Sequence, residues 1–295
     1  MDTLTTLFGQ YIKKALILSK AASVVTGHNV YQEGDDNILP MLDEMAESLI
    51  LPGSRLDGLD NLEELLVKAE AGKSCLLLLE HYSNFDLTIF SLMARKAGGR
   101  GADISRALVA IAGMKLNEDN PGVAAFASAY TRIVIYPSRS LLELNAQKDR
   151  AEIIRSNAIN RAAIKALNDI KTKGKLVLVF PSGTRYRPWD PASKKGLREI
   201  DSYIRSFDYM CCVSLNGQIL HVQKSDMLND IVTKDLLLVT AAPVYSCAEF
   251  RGKARAAGTG DKKQAVVDAV MAALDELHLA AEEKRQKLLS SALTA

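Results

Sequence analysis

Residues 75–86 have the sequence CLLLLEHYSNFD, in which an uninterrupted apolar run is followed by a short polar turn. Strands that are buried on both faces carry such continuous apolar runs, whereas half-buried strands alternate apolar and polar residues. Helical periodicity resumes at residues 87–97, so the segment predicts a strand, a turn and a helix in this order. That unit is typical of a parallel sheet covered by helices.

The rest of the chain repeats this alternation. Further buried strands are expected at residues 107–112, 132–136, 176–180, 210–215 and 236–244, and further helices at 149–172, 200–207 and 262–287. We therefore predict an α/β fold with a mostly parallel or mixed central sheet flanked by helices. Its chemistry is expected at the carboxyl ends of the strands.

The first 72 residues have a different pattern. Residues 37–51 and 59–71 carry apolar residues three and four apart without β-branched runs, which predicts helices. The segment LPGS at 51–54 separates the two helices. We predict a small helical N-terminal domain over residues 1–72 and an α/β domain over residues 73–295.

Charge is distributed unevenly along the chain. The net charge is only +2, which argues against a dedicated nucleic-acid binder. Residues 132–198, however, contain 15 Lys and Arg against 5 Asp and Glu, a local excess of +10. This excess predicts a basic surface for an anionic partner, such as a phosphate-bearing substrate, an acidic carrier protein or anionic lipid. A solvated basic helix over residues 148–173 is the alternative interpretation.

The cysteines and the N-terminus bear on location. The four cysteines show no CxxC or CxxH spacing and the four histidines are dispersed, so no metal site and no cofactor are expected. No secretory signal pattern opens the chain, which predicts a cytoplasmic protein. The longest uncharged apolar stretch near the N-terminus, between Lys14 and Lys20, is far too short to span a bilayer, whereas residues 7–25 form an amphipathic pattern. We expect this segment to pack against other helices, and peripheral membrane contact is the alternative.

His81 and Asp86 flank the turn that follows the first strong strand. On a single helix, residues five apart are about 140° apart and their side chains do not meet. A strand-to-helix loop, with Ser83 or Asn84 as the helix cap, lets the carboxylate turn back toward the imidazole. Asp86 would then orient His81 as a general base for a hydroxyl group. A structural histidine at a strand end is the alternative.

The same spacing occurs a second time, in His221 and Asp226. Spacing alone therefore does not identify the reactive pair. His81 follows a four-leucine run and precedes a clean helix, whereas His221 follows the polar turn 216–218. This context favours His81.

Residues 180–190 have the sequence FPSGTRYRPWD after a predicted buried strand. Gly183 allows the backbone to approach a ligand closely, and Arg185 and Arg187 project two permanently charged forks from one loop. A phosphate monoester has enough oxygens to accept hydrogen bonds from both. A structural loop with surface arginines is the alternative.

Taken together, residues 81–86 and 180–185 resemble the HX4D and FPEGTR blocks of the glycerolipid acyltransferase family. The extension through Arg187 and Asp190, with Ser182 in place of the usual Glu, is most similar to the soluble, plastid-type glycerol-3-phosphate acyltransferases. Residues 133–139 lie where those enzymes have a further basic phosphate contact. The resemblance extends over roughly residues 74–215, and Ser140 departs from it because a His stands there in the plant enzymes.

The resemblance implies transfer of a fatty acyl group to the 1-hydroxyl of glycerol 3-phosphate, with His81 as base. It implies that Arg139, Arg185 and Arg187 bind the acceptor together with the block residues Ser182, Gly183 and Thr184. The donor would be a thioester of coenzyme A or of an acyl carrier protein, in the cytoplasm or in a plastid stroma. Transfer to 1-acylglycerol 3-phosphate is the alternative reaction. A protein that binds anionic lipid or an acyl carrier without turnover is the non-enzymatic alternative.

Overall fold

A computed structural model describes residues 2–19, 24–118, 120–145 and 147–293. The helices are α1 (Leu4–Leu18), α2 (Leu39–Glu47), α3 (Leu59–Glu70), α4 (Asp86–Lys96), α5 (Gly101–Ala107), α6 (Lys115–Glu118), α7 (Pro121–Ala127), α8 (Ser138–Leu142), α9 (Arg150–Ile170), α10 (Ile200–Ser206), α11 (Cys247–Ala257) and α12 (Lys262–Leu293). The strands are β1 (Tyr31–Gln32), β2 (Arg55–Asp57), β3 (Cys75–Leu79), β4 (Leu108–Gly113), β5 (Arg132–Ile135), β6 (Leu176–Val179), β7 (Tyr209–Asn216), β8 (Leu220–His221), β9 (Ile231–Val232), β10 (Leu238–Ala241) and β11 (Tyr245–Ser246).

The central sheet is mixed. In the described chain it has nine strands in the order β1-β5-β4-β6-β3-β7-β10-β2, and β11 also pairs with β7. Strands β5, β4, β6, β3 and β7 are parallel, whereas β10 is antiparallel to β7 and β1 is antiparallel to β5. Helices cover the sheet, so the predicted α/β class with a mixed, helix-flanked sheet is confirmed.

Strand β3 lies at the centre of the sheet, and all five of its residues are buried. Leu77 and Leu79 pack in the larger core with α2, α3 and α4, whereas Leu76 and Leu78 pack in a second core with α10 and α12. Burial on both faces explains why the segment has no polar alternation. Leu78 is in register with Val179 of β6, so the residues that follow both strands emerge side by side at one edge.

The N-terminal 72 residues contribute to the sheet as well as to its helical cover. Strand β2 pairs in parallel with β10, and β1 pairs with β5. Buried residues of α2 and α3 belong to the larger core. The domain boundary expected at residue 72 stays a prediction.

Helix α1 differs from the amphipathic helix expected over residues 7–25. It ends at Leu18, residues 20–23 lie outside the described part of the chain, and Val25 packs in a separate small core. The buried stripe of α1 consists of Leu4, Phe8, Ile12 and Ala15, while Leu7 and Ile17 are exposed. Packing against other helices was therefore the better expectation for this segment. Among the described residues, no helix combines the length and apolar character needed to cross a membrane.

Candidate functional site

His81 lies in the turn that joins β3 to α4, and Asp86 is the first residue of α4. Nδ1 of His81 is 2.9 Å from Oδ2 of Asp86. The imidazole is 17% exposed and the carboxylate 3%, so the acid is shielded while the histidine is accessible to a substrate. The expected geometry, in which the carboxylate turns back toward the ring, is present.

The Asp86 carboxylate is held by the turn itself. Oδ2 accepts hydrogen bonds from the backbone N–H groups of Tyr82 at 2.5 Å and Ser83 at 2.9 Å, and Oδ1 accepts one from the Ser83 hydroxyl at 2.7 Å. Because the Asp86 carboxylate acts as an acceptor in all these hydrogen bonds, it favours the tautomer of His81 in which Nδ1 carries the hydrogen and donates it. In that tautomer Nε2 has a free lone pair, as a general base requires.

The expected cap of α4 is wrong. The N-cap residue is Phe85, which makes no side-chain cap hydrogen bond, and neither Ser83 nor Asn84 holds that position. The Ser83 hydroxyl instead accepts from the Phe85 N–H at 3.1 Å while it donates to Asp86. A local turn motif has replaced the cap, because Ser side chains bond neighbouring backbone groups readily.

The two sequence blocks meet at His81. Its ring stacks on Phe180 with centroids 3.9 Å apart and 19° between the planes. Its carbonyl oxygen accepts a hydrogen bond of 2.8 Å from the N–H of Tyr186, which lies between the two arginines of the second loop. The loop with the arginines is thus attached directly to His81.

The shape of this loop depends on Gly183. Its φ is +62°, and a Cβ atom there would lie 2.1 Å from Cδ1 of Leu197. The Ser182 hydroxyl is buried and donates to the Thr184 carbonyl at 2.7 Å. Within the described chain, Ser182, Gly183 and Thr184 form the turn that positions the arginines, and their direct contact with a substrate stays a prediction.

Arg185 is anchored by an acid that the sequence did not single out. Its Nη1 is 2.7 Å from Oδ2 of Asp230, whose side chain is fully buried. Asp230 also accepts a hydrogen bond of 2.8 Å from the Gln223 N–H. Burial raises the pKa of Asp230, and the Gln223 N–H and the Arg185 guanidinium act in the opposite direction. Part of the charge of Arg185 is therefore already balanced inside the protein.

Arg187 and Arg139 are less constrained. The Arg187 side chain is 39% exposed, with its closest carboxylate, on Asp190, 4.0 Å away. Arg139 is exposed on α8, which follows β5 at the same edge of the sheet. Because β5 is three strands from β3, the ends of these two strands lie about 14 Å apart, and Arg139 follows the more distant one. No hydrogen bond or ion pair holds the Arg139 side chain within the described residues, and its role stays a prediction.

The second histidine–aspartate spacing does not form a pair. Nε2 of His221 is 2.7 Å from the Thr233 hydroxyl. Asp226 accepts instead from the Leu228 N–H and from the Asn120 side chain. The geometry therefore supports the choice of His81.

The cysteines offer no reactive thiol. All four are free and buried. Burial raises the pKa of Cys75, Cys212 and Cys247 to about 12, and that of Cys211 well above its usual value. No group of three or more His, Cys, Asp or Glu side chains is arranged to hold a metal ion among the residues that the structure describes.

Three residues near His81 were not identified from the sequence. Glu80 is buried at the end of β3, Tyr82 bonds to it, and His278 of α12 is 2.8 Å from it. A charged residue that directly ends a run of four leucines was the available signal.

Comparison with known proteins identifies a family for this chain. The sequence profile of a family described as Acyltransferase matches residues 54–215, more than half of the chain. A search of curated protein sequences gives no significant match. The match includes the turn with His81 and Asp86, the loop at residues 180–190 and the strands that precede them. The chain therefore belongs to the acyltransferase family.

Proposed function

We propose that the protein transfers a fatty acyl group from a thioester to the 1-hydroxyl of sn-glycerol 3-phosphate. The observation that carries this proposal is the direct link between the His81–Asp86 pair and the arginine loop, through the Tyr186 N–H and the Phe180 ring. A base and a phosphate-binding loop at one strand edge suit an acceptor that has both a hydroxyl and a phosphate.

The proposed reaction is a single displacement. Nε2 of His81 takes the proton from the 1-hydroxyl of glycerol 3-phosphate. At the same time the hydroxyl oxygen forms a bond to the thioester carbonyl carbon. The carbon–sulfur bond then breaks, and the thiolate leaves with the proton that His81 had taken. No acyl-enzyme is needed, which agrees with the buried cysteines and with the internal hydrogen bond of the Ser182 hydroxyl.

The anionic oxygen of the transition state needs hydrogen-bond donors. We expect them at the start of α4 near Asn84. The side-chain Nδ2 of Asn84 is buried and has no hydrogen-bond partner among the described residues. An Asn84→Ala variant with a lower kcat and an unchanged KM for both substrates would support this assignment.

The donor is a thioester of coenzyme A or of an acyl carrier protein. Basic residues between 132 and 198 suit either, because both donors are anionic. Rates measured at increasing salt separate the two. A steep loss of kcat/KM with the carrier protein but not with coenzyme A would indicate the carrier.

The test of the function is acyl transfer to radiolabelled glycerol 3-phosphate and, separately, to 1-acylglycerol 3-phosphate. Both are measured with the unchanged protein and with His81→Ala. Turnover of glycerol 3-phosphate that disappears in the variant supports the proposal. Turnover of 1-acylglycerol 3-phosphate alone would establish the alternative acceptor, and binding without turnover of either would contradict an enzymatic role.

A further inference from the structure

Glu80 is a carboxylate buried at the end of β3, immediately before His81. The residue is 7% exposed. Its Oε2 accepts hydrogen bonds from the Leu215 N–H at 2.9 Å and from Nδ1 of His278 at 2.8 Å, and its Oε1 accepts one from the Tyr82 hydroxyl at 3.0 Å. Three donors converge on this one acid, which accounts for its burial.

His278 comes from α12, close to two hundred residues away in the sequence. The helix buries Val266, Val270 and Leu274 against the sheet before it reaches this point. The carbonyl oxygen of His278 also accepts a hydrogen bond of 3.0 Å from the Asn216 side chain at the end of β7. The C-terminal helix is therefore joined to the ends of β3 and β7 at the level of the catalytic turn.

Tyr82 connects this cluster to the base. Its N–H donates to Asp86 and its hydroxyl donates to Glu80, so its backbone and its ring are both held. The ring also makes an edge contact with Tyr186, with centroids 6.2 Å apart. Burial raises the pKa of Tyr82, which keeps its hydroxyl a donor. Any movement of Glu80 thus reaches both the His81–Asp86 turn and the arginine loop.

We propose that Glu80 and His278 form a second histidine–carboxylate pair, whose role is to position the catalytic turn. In this arrangement α12 is part of the active-site framework, and Glu80 acts on His81 through Tyr82. The proposal rests on the proposed acyl transfer, because it assigns a role in that reaction. Neither residue is assigned contact with the reacting atoms.

The residue type supports a positioning role over simple packing. Leu76 to Leu79 are fully buried, and a further apolar residue at position 80 would continue this core at less cost than a buried acid. An acid pairs with a histidine and a phenol in defined directions, whereas an apolar side chain leaves the turn free to shift. A misplacement of about 1 Å at a reacting group lowers the rate up to about 100-fold.

Four variants test the proposal: Glu80→Gln, His278→Ala, His278→Asn and the double variant Glu80→Gln/His278→Ala. Asn retains an N–H donor close to the position of Nδ1, so His278→Asn should keep most of the activity that His278→Ala loses. We expect kcat to fall about 10- to 100-fold in Glu80→Gln and in His278→Ala. The KM for glycerol 3-phosphate should stay within about threefold, since no contact with the acceptor is removed. The double variant should be about as slow as the slower single variant, because the two residues act as one unit.

A second measurement does not depend on catalysis. Amide hydrogen exchange at Tyr82, Ser83 and Tyr186 reports the bonds that hold the turn and the loop together. Exchange at these amides should be at least about tenfold faster in Glu80→Gln than in the unchanged protein. Glu283→Gln, an exposed carboxylate on the same helix, is the matched control and should change neither exchange nor rate.

The outcomes separate the two proposals. Slower turnover with faster exchange, restored by His278→Asn, supports the positioning role. Variants that lose thermal stability but keep kcat and the protection of these amides would overturn the positioning role. They would show that the Glu80–His278 contact only stabilises the fold. If the unchanged protein transfers no acyl group, the proposed function fails, while the exchange data still decide whether Glu80 holds the turn.

Discussion

The two segments 81–86 and 221–226 share the same histidine–aspartate spacing but differ in structure. In the first, the histidine follows a five-residue buried strand and the aspartate begins an 11-residue helix. In the second, the histidine ends a two-residue strand, and the aspartate caps a three-residue 3-10 helix. Only the first turn directs its backbone N–H groups at the carboxylate and brings it to the imidazole. Spacing permits such a pair, and the fold of the intervening residues decides whether it forms.

The difference also assigns the second segment a supporting role. The Gln223 N–H bonds to Asp230, and Asp230 holds Arg185 of the loop that contacts His81. The same spacing thus occurs once in the His81–Asp86 pair and once in the segment that supports the arginine loop. Four tests on substituted variants can break or sharpen this contrast.

The largest difference is expected between Asp86→Asn and Asp226→Asn. The first change removes the acceptor that sets the tautomer of His81, and kcat should fall about 10²- to 10⁴-fold. The second removes a carboxylate that accepts hydrogen bonds from Leu228 and Asn120 within the described chain, so kcat should change less than about twofold. Steady-state rates with glycerol 3-phosphate, together with circular dichroism to verify folding, provide the measurement. Equal losses in the two variants would remove the distinction between the segments.

Arg187→Ala tests whether the loop attached to the first segment binds the acceptor. Loss of a charge-assisted hydrogen bond to phosphate should raise the KM for glycerol 3-phosphate about 10- to 100-fold. Arg139→Ala is the matched variant on the more distant strand and should raise KM in the same direction if both contact the phosphate. An unchanged KM in Arg187→Ala would show that the acceptor binds elsewhere.

Arg185→Ala tests the support provided by the second segment. It leaves the buried Asp230 without its cation, which should lower the free energy of unfolding by about 3–5 kcal/mol at neutral pH. Burial already raises the pKa of Asp230, and loss of the arginine raises it further. The folded variant therefore binds a proton more readily than the unfolded chain, and its deficit should shrink as the pH falls through the folded pKa.

Urea unfolding at pH 5 and pH 8 measures this dependence. A deficit that is the same at both values would show that Asp230 is not the cause. Arg187→Ala is the control, because the Arg187 side chain is more exposed than that of Arg185 and lies further from a carboxylate. This variant should show little loss of stability.

The smallest effect is expected from His221→Ala. The change removes a single bond to the Thr233 hydroxyl at an exposed site, so the free energy of unfolding should change by less than about 1 kcal/mol. Activity should stay within about twofold of the unchanged protein. A large loss of turnover would show that the second histidine takes part in the reaction and would break the contrast.

Several elements could be predicted because the signal is local. The buried strands can be recognised in the sequence as apolar runs, and residues 75–79 are the clearest case. The turn with His81 and the loop with Arg185 follow two such strands, and parallel strands bring their carboxyl ends to one edge. Strand order and the mixed directions of the edge strands were not readable in the same way, since they depend on pairing between distant segments.

Other elements lacked a local signal. Helix α7 buries Gly122, Val123, Ala124, Ala125 and Phe126, so it has no polar face and no amphipathic period. Strand β2 has three residues, of which one is buried, and only its pairing with β10 makes it a strand. The cap of α4 was assigned to the wrong residue because a Ser that bonds its own turn looks the same in sequence as a Ser that caps a helix.

The sequence by itself determined the α/β class, the buried strand that precedes His81, and the two blocks that carry the histidine–aspartate pair and the arginines. These features follow from apolar runs and from residue types a few positions apart. The tertiary structure decided which of two identical spacings forms a pair, that Asp230 anchors Arg185, and that Glu80 meets His278 of the last helix. The last two contacts join residues 45 and 198 positions apart, and no local pattern records which distant side chains a packed core brings together.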